Sequence, residues 1–375
     1  MTPAAATAVA PIPLVDLQIQ HAQIAAEVEA GWSEVVSTGA FIDGPAVRAF
    51  ESEFAAFSGV DHAVGVGNGT DALELALRAR GIGWGDEVIV PANTFIATAE
   101  AVSRVGGTPV LVDCDPAHLL IDPARVADRV GPRTRAVMAV HLYGQMAPLE
   151  AVAAAVPEGV DVIEDAAQSQ GASRHGRHSG SVGVAAGTSF YPGKNLGAYG
   201  DAGAVLTGDD ATAATVRALR DHGGTRKYHH DLPGMNSRLD TVQAVVLRAK
   251  LARLEGWNAE RRAAATRYGE LLGGHDAIGL PAVMDGNVPV WHLYVVRVRG
   301  RDAVLERLHA AGVGAGIHYP HPLHLLGAYA DLGHGAGAFP VAEAAAAEIL
   351  TLPLFPGMTE DQQARVAEEL LAAVG

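Results

Sequence analysis

The sequence predicts an α/β protein with a large domain built on a mostly parallel sheet and a smaller α+β domain at its C-terminal end. Three observations support this. Between about residues 41 and 206, short apolar runs alternate with amphipathic helical segments. The runs are apolar on both faces, as in parallel strands that helices cover on both sides. The chain has 375 residues, enough for two domains, and the pattern of predicted strands and helices changes near Gly273-Gly274.

The predicted elements of the large domain, residues 14–273, follow one another closely. The apolar runs predict strands over 63–66, 87–90, 109–112, 136–140 and from residue 160 to Asp165. Leucine and alanine spacing predicts helices over 71–80, 94–105, 122–130 and 148–156. A long helix is predicted to follow Ser237 and to run towards Tyr268. In the small domain, residues 274–375, we predict strands over 290–298 and 313–318 and helices over 301–311 and 360–374.

Composition limits the compartment and the partners. Residues 1–13 are rich in Ala and Pro and lack Lys and Arg, which predicts a flexible arm without the basic start of a signal peptide. Cys114 is the single cysteine, so no intrachain disulfide can form, and a reducing cytoplasm is expected. The net charge of −15 argues against a nucleic-acid partner. No run approaches the ~20 apolar residues that a membrane-spanning helix needs, so no membrane partner is expected.

A lysine in a Gly/Pro turn is the strongest chemical signal. Residues 189–196 (SFYPGKNL) place Lys194 in this turn, and a β-branched strand upstream ends on Asp165. A strand-end carboxylate followed by such a lysine suggests pyridoxal 5′-phosphate (PLP). The acid would hold the pyridinium nitrogen, and the lysine would form the Schiff base. Alone, each residue has an ordinary interpretation as a capping aspartate or a surface lysine.

The segment Asn68-Gly69-Thr70-Asp71 follows a strand and opens a helix. Backbone amides at a helix start form an anion site suited to a phosphate. An ordinary helix N-cap, with Thr70 or Asp71 capping the helix, explains the same residues at least as well. The preceding glycines fall one residue short of the G-x-G-x-x-G dinucleotide pattern, which weighs against a nicotinamide-dependent sugar dehydrogenase.

Three further segments contain polar candidates. Gln168 lies three residues after Asp165 and could reach the same ligand. Asn236 precedes the long helix, where its residue type alone favours a capping role. His318, His321 and His324 lie at three-residue steps, but two prolines between them exclude a regular helix. We therefore predict a substrate-contacting loop there and no metal site.

Taken together, the motifs resemble the DegT/DnrJ/EryC1/StrS family of PLP-dependent sugar aminotransferases, from about Leu14 to the C-terminus. The segments that carry the resemblance are 67–73 (GNGTDAL), 91–95 (PANTF), 141–145 (HLYGQ), 164–168 (EDAAQ), 189–196 (SFYPGKNL), 234–240 (GMNSRLD) and 318–320 (HYP). The resemblance implies PLP fold type I, which is aspartate aminotransferase-like, and a homodimer whose active sites are shared between subunits. It implies PLP as cofactor, with pyridoxamine 5′-phosphate as an intermediate.

The resemblance also implies roles for individual residues. Lys194 would be the catalytic lysine that binds the cofactor, Asp165 the partner of its ring nitrogen and Gln168 the partner of its ring hydroxyl. The remaining cofactor contacts would be Gly69, Thr70 and Ser189 at the phosphate, Phe95 stacked on the ring, and Asn236 at the phosphate bound by the other subunit. The substrate-binding residues would be Tyr191, Arg226, Tyr228, His318 and Tyr319. Gln170 departs from the histidine that many members have, which weakens inference about its surroundings.

The implied reaction transfers an amino group from L-glutamate to C3 of a nucleotide-linked 3-keto-6-deoxyhexose, giving a dTDP-3-amino-3,6-dideoxyhexose. Segment 317–325 (IHYPHPLHL) resembles enzymes of this kind. Amination at C4 of a sugar nucleotide and amination of a cyclitol are the alternatives. Some related dehydratases carry histidine in place of the lysine, and Lys194 favours an aminotransferase. A PLP-binding regulator or scaffold without turnover is the alternative from another class.

Overall fold

A seven-stranded sheet forms the centre of the large domain in the computed structural model, which describes residues 10–375. The strands, in chain order, are β1 (His62–Val66), β2 (Glu87–Pro91), β3 (Thr108–Val112), β4 (Thr134–Val140), β5 (Asp161–Asp165), β8 (Ala185–Ser189) and β9 (Gly203–Thr207). Their spatial order is β1-β9-β8-β5-β4-β2-β3. Two short strands, β6 (Ser173–Arg174) and β7 (Arg177–His178), form a separate small sheet with β11 (Asn287–Val288).

The predicted mostly parallel sheet is confirmed. The pairs β2–β3, β2–β4, β4–β5 and β5–β8 are parallel, and only β9 runs against its neighbours β1 and β8. All five strands predicted in this region are present. Parallel pairing brings the C-terminal ends of β5 and β8 to one edge of the sheet, and open α/β sheets bind ligands at that edge.

Twelve α-helices occur among the described residues. They are α1 (Leu17–Thr38), α2 (Pro45–Ser58), α3 (Gly69–Ala79), α4 (Ile96–Arg104), α5 (Pro123–Ala127), α6 (Leu149–Ala154), α7 (Asp210–Arg220), α8 (Thr241–Leu251), α9 (Leu254–Leu272), α10 (Arg301–Ala310), α11 (Pro340–Glu348) and α12 (Glu360–Val374). Short 3₁₀ turns occur at Leu142–Gly144, Leu323–Leu325 and Gly327–Leu332. Within residues 10–375, no helix is both long enough and apolar enough to cross a membrane.

The C-terminal domain contains a three-stranded antiparallel sheet of β10 (Ile278–Gly279), β12 (Tyr294–Val298) and β13 (Ile349–Leu352). Its core combines this sheet with α10, α12 and the second half of α9, through Tyr268 and Leu272. Residues 1–9 of the predicted arm lie outside the described residues. Of the arm's remaining residues, Ile12 is buried in this same core and pairs with Val313.

The predicted long helix after Ser237 is wrong in its continuity, because it is two helices that meet at Ala252 and Arg253. No glycine or proline causes the break. The guanidinium of Arg253 donates to the carbonyl of Ala249 at 2.9 Å and forms an ion pair with Glu27 on α1. A side chain thus satisfies a carbonyl of the last turn of α8, where the helix ends.

The predicted strands of the small domain also need correction. No strand forms over 313–318; only isolated bridges occur, one from Val313 to Ile12 and one from Gly316 to Thr351. Two glycines within this stretch, Gly314 and Gly316, weaken strand formation. The strand predicted over 290–298 begins at Tyr294 instead, because the amides of Val290 and Leu293 donate to carbonyls in the 3₁₀ turn Leu142–Gly144.

A buried carboxylate fixes the end of β5. Glu164 is fully buried, and its two oxygens accept hydrogen bonds at 2.7 Å from the amides of Gly180, Val182 and Gly183 and from His141 Nε2. His141 Nδ1 accepts from the amide of Ala147, so the proton that Nε2 donates is the ring's single proton. Burial alone would raise the pKa of Glu164, but these donors outweigh it and hold the pKa below its usual value.

Replacing Glu164 with glutamine should destabilise the fold by about 3 kcal/mol, because the new NH₂ group would face backbone N–H donors. The folded pKa of this carboxyl lies below its unfolded value, so its stabilisation is present above about pH 4.3 and is lost as the pH falls through the folded pKa. Urea unfolding at several pH values measures the effect. The exposed Glu158→Gln variant is the control. An equal loss in both variants, or a gap between wild type and Glu164→Gln that widens with acid, would contradict the assignment.

Candidate active site

The candidate site lies at the edge where β5 and β8 end and where α3 and α4 begin. Asp165 ends β5, and Ser189 ends β8. Lys194 follows in the turn after β8, where its amide donates to the carbonyl of Tyr191 at 2.8 Å. The alternation of strands and helices therefore brings together groups that lie far apart in sequence.

Asp165 is buried, and two donors form hydrogen bonds with its carboxylate. The Thr98 hydroxyl donates to Oδ2 at 2.7 Å, and the Ala167 amide donates to Oδ1 at 3.2 Å. Burial raises the pKa of Asp165 above its usual value, and the Thr98 hydrogen bond, the Ala167 amide and the nearby Lys194 charge oppose this rise. A carboxylate in these surroundings is suited to bind a protonated ring nitrogen, which would supply the missing positive partner.

Lys194 has a perturbed side-chain amine. Burial lowers its pKa to about 8, and the charge of Asp165 opposes that change. Its Nζ has no hydrogen-bond or ion-pair partner among residues 10–375. A lysine with a lowered pKa is neutral in a larger fraction of molecules at neutral pH, as a nucleophilic amine must be.

Gln168 lies between two parts of the site. Its Oε1 accepts from the Tyr143 amide at 2.7 Å, so its Nε2 is the donor to the Tyr319 hydroxyl at 3.1 Å. The Tyr319 ring in turn lies 5.3 Å, centroid to centroid, from the ring of Phe95. Phe95 precedes α4 and is 50% exposed. An aromatic face this accessible at the end of the sheet is available for stacking on a planar ring.

The first turn of α3 lies against the end of β8. Asn68 caps this helix, its side chain accepting from the Asp71 amide, while the amides of Gly69 and Thr70 have no acceptor among residues 10–375. A Cβ added to Gly69 would lie 2.5 Å from the Cβ of Ser189. Two free amides and a serine hydroxyl at a helix start form a site suited to a phosphate. The cap is therefore Asn68 and not Thr70 or Asp71, as the sequence suggested, and the phosphate site at the amides of Gly69 and Thr70 stays a prediction.

His318 and Tyr191 lie beside the lysine turn. His318 Nδ1 is 2.8 Å from the Thr351 hydroxyl, and burial, with Lys194 nearby, lowers its pKa to about 4. Tyr191 is 60% exposed at the rim. His324, by contrast, is buried and hydrogen-bonded to Glu343. The described residues contain no group of three side chains placed to hold a metal ion.

Three predicted residues do not join these contacts within the chain. Arg226 and Tyr228 lie on an exposed turn, and Tyr228 is 82% exposed beside the Lys227 amine. Asn236 is exposed, and its backbone pairs with Asp221.

Sequence reasoning missed several site residues. Thr98 was not assigned a role, because its contact with Asp165 spans 67 positions and a threonine within a helix carries no signal. Nδ1 of His292 lies 3.3 Å from Oδ1 of Asn195, and no local pattern marks His292. Asn195 follows Lys194 directly and belongs to segment 189–196, but the segment alone does not reveal its contact with His292.

The residues fit the cofactor that the sequence suggested. Among residues 10–375, the buried Asp165 has no ion-pair partner, an amine of lowered pKa lies near it, and amides without an acceptor lie one strand away. An exposed aromatic ring completes the set. These are the groups that a phosphorylated pyridine aldehyde requires.

Comparison with known proteins gives the same result. The profile of the DegT/DnrJ/EryC1/StrS aminotransferase family matches residues 22–371. A curated dTDP-3-amino-3,4,6-trideoxy-alpha-D-glucose transaminase from Streptomyces venezuelae is 46% identical over 95% of this chain and 94% of its own. A UDP-N-acetyl-3-dehydro-alpha-D-glucosamine 3-aminotransferase from Acidithiobacillus ferrooxidans is also 46% identical, over 95% and 96%.

A crystal structure of S. venezuelae DesV in complex with a ketimine intermediate superposes with a TM-score of 0.95 at 45% identity, covering 96% of this chain and 98% of that one. The predicted fold class is thereby confirmed. The chain belongs to the DegT/DnrJ/EryC1/StrS aminotransferase family.

Proposed function

We propose that the protein transfers the amino group of L-glutamate to C3 of a nucleotide-linked 3-keto-6-deoxyhexose, giving a dTDP-3-amino-3,6-dideoxyhexose. The observation that carries the proposal is the proximity of Lys194, an amine of lowered pKa, to the buried Asp165, whose charge acts on it. The relatives described above support the position of amination, because both names specify an amino group at C3. The retained lysine favours transfer over a role as a non-catalytic scaffold.

Pyridoxal phosphate is the proposed cofactor, and each of its ends has a candidate partner. Asp165, oriented by Thr98, would hold the ring nitrogen, and Gln168 the ring hydroxyl. The Gly69 and Thr70 amides and Ser189 would hold the phosphate, and Phe95 would cover one face of the ring. When bound, the cofactor supplies a conjugated ring that accepts the electron pair of the C–H bond broken in the donor and carries the amino group to the acceptor.

Lys194 would move the proton. Its Nζ would take the proton from the α-carbon of the amino donor and return a proton to C3 of the sugar. The lowered pKa of about 8 makes both roles available near neutral pH, because the amine and the ammonium are then both populated. Asp165 would keep the ring nitrogen protonated throughout, and its burial excludes the water that would weaken this contact.

The sugar nucleotide would contact residues from two subunits. Within one chain, His318 and Tyr191 lie near Lys194, and Tyr319 contacts Gln168. Arg226 and Tyr228 lie on an exposed turn, and we propose that this turn reaches the active site of the partner subunit in a homodimer.

A reducing cytoplasm is the proposed compartment, because it suits the buried free thiol of Cys114.

The substrate proposal is tested by supplying the protein with PLP, L-glutamate and one of three acceptors. These are a dTDP-linked 3-keto-6-deoxyhexose, a dTDP-linked 4-keto-6-deoxyhexose and a UDP-linked 3-keto sugar, with products identified by mass spectrometry. We expect the first acceptor to react at least tenfold faster, as kcat/KM, than either of the others. Preference for the 4-keto sugar would overturn the position of amination, and preference for the UDP sugar would overturn the nucleotide. Cofactor binding without turnover of any acceptor would support the scaffold alternative.

Lys194→Ala should abolish turnover while the fold and dimer persist. The chain contains three lysines, Lys194, Lys227 and Lys250, so the site of attachment can be mapped cleanly. Borohydride reduction of the PLP-loaded wild type should fix the cofactor on the peptide containing Lys194, and the variant should retain no label there. Lys227→Ala is the matched control for labelling, because Lys227 is exposed. Label on Lys250, or turnover near the wild-type rate in Lys194→Ala, would contradict the assignment.

Asn236 provides a test of the shared site. If it serves the partner's phosphate, Asn236→Ala and Lys194→Ala should each be inactive alone but complement each other in a mixed dimer. Half of the randomly formed dimers are mixed, and one of their two sites is intact, so coexpression should restore about a quarter of wild-type activity. No recovery in mixed dimers isolated through two different tags would show that Asn236 acts within its own subunit or not at all.

A further inference from the structure

A buried amide beside the lysine turn determines the state of a histidine that the proposed mechanism has not used. Asn195, directly after Lys194, is fully buried. Its Nδ2 donates at 2.9 Å both to the Asn258 side-chain oxygen on α9 and to the carbonyl of Val290. Its Oδ1 lies 3.3 Å from Nδ1 of His292. Three separate parts of the chain therefore meet at this one carboxamide.

Backbone carbonyls fix the orientation of both amides. Asn195 directs its NH₂ group at the carbonyl of Val290, which can only accept. Asn258 directs its NH₂ group at the carbonyl of Gln170 at 3.0 Å, which leaves its own oxygen to accept from Asn195. Rotating either amide by 180° would place two acceptors against each other. The atom of Asn195 that faces His292 is therefore its oxygen.

This orientation determines the tautomer of His292. A carboxamide oxygen only accepts hydrogen bonds, so the imidazole must carry its proton on Nδ1. Burial, together with the nearby positive charges of Lys194 and Arg261, lowers the pKa of His292 well below its usual value, so the ring is neutral. Nε2 consequently carries a lone pair and no proton.

Nε2 is the nitrogen of this imidazole that the described residues leave without a partner. It has no hydrogen-bond partner among residues 10–375, and it is not one of the polar atoms sealed inside the protein without a partner. His292 lies beside the lysine turn, because its Nδ1 is 3.3 Å from Oδ1 of Asn195, the residue that follows Lys194. The other titratable groups that influence Lys194 or His292 are Asp165, Arg261 and His318.

We propose that His292 is a positioning residue for the Lys194 amine, accepting a hydrogen bond from Nζ through Nε2 whenever that amine is free. The inference rests on the proposed function of Lys194. Asn195 and Asn258 act one step further away, because they hold the imidazole in the tautomer that can accept. Without this acceptor, the released amine would have no partner among residues 10–375 to direct it back towards the reacting carbon.

Two substitutions separate the nitrogen atoms of the imidazole. The amide of His292→Asn can replace the Nδ1 contact with Asn195 but does not reach the position of Nε2, whereas the longer His292→Gln places an oxygen near it. An acceptor stabilises an ammonium, so His292→Asn should lower the pKa of Lys194 by about one unit, while His292→Gln should stay near the wild-type value. For transamination, His292→Asn should lower kcat about tenfold with little change in KM for glutamate, and His292→Gln should recover most of this loss.

The pKa of Lys194 is measured by competitive acetylation of the full-length protein without cofactor. The acetylated protein is digested for mass spectrometry, and the exposed Lys227 serves as the internal standard. This measurement needs no turnover, so it tests His292 even if the protein fails to transaminate any sugar. Thermal unfolding checks that each variant is folded. A Lys194 pKa that is the same in wild type and both variants, or equal kcat losses in His292→Asn and His292→Gln, would overturn the proposal.

Discussion

The architecture of the site depends on the last two residues of β5. Side chains alternate along a strand, so Glu164 and Asp165 point to opposite faces of the sheet, and both carboxylates are buried. Glu164 is surrounded by backbone amides and His141, which fixes the strand end. Within the described part of the chain, the Asp165 carboxylate accepts from only two donors, Thr98 and the Ala167 amide. The Glu164 carboxylate is thus saturated with hydrogen bonds, whereas that of Asp165 retains capacity for the ring nitrogen proposed to bind there.

The parallel pairing of β5 with β8 carries this arrangement to the lysine. Ser189 ends β8 next to the end of β5, and the turn that follows returns as β9. The helices α3 and α4 begin at the same edge. The Gly69 amide and the Thr98 hydroxyl therefore join the site from segments that precede β5 and β8 in the sequence. A cofactor with a phosphate at one end and a ring nitrogen at the other matches this separation of groups.

Local pattern predicted most of the large domain and the central pair of the site. Lys194 and Asp165 were recognisable because each lies beside a strand end with unusual neighbours. Thr98 and His292 were not, because their importance depends on partners 67 and 97 positions away. The same reason explains the errors in secondary structure. The strand expected over 290–298 begins late, because its first residues form hydrogen bonds with the large domain. Residues 313–318 form only isolated bridges, to Ile12 and Thr351, whose positions in the sequence lie far away.

Helix α9 belongs to two cores at once. Its first residues, Leu254 and Trp257, pack in clusters of the large domain, whereas Tyr268 and Leu272 lie in the core of the small one. Arg261, buried between them, donates to the carbonyls of Trp291 and Leu354. A chimaera of two relatives joined after residue 273 would therefore place a foreign helix face inside the small domain. An exchange of the small domain between relatives should therefore include α9 together with the segments around Trp291 and Leu354 that contact it.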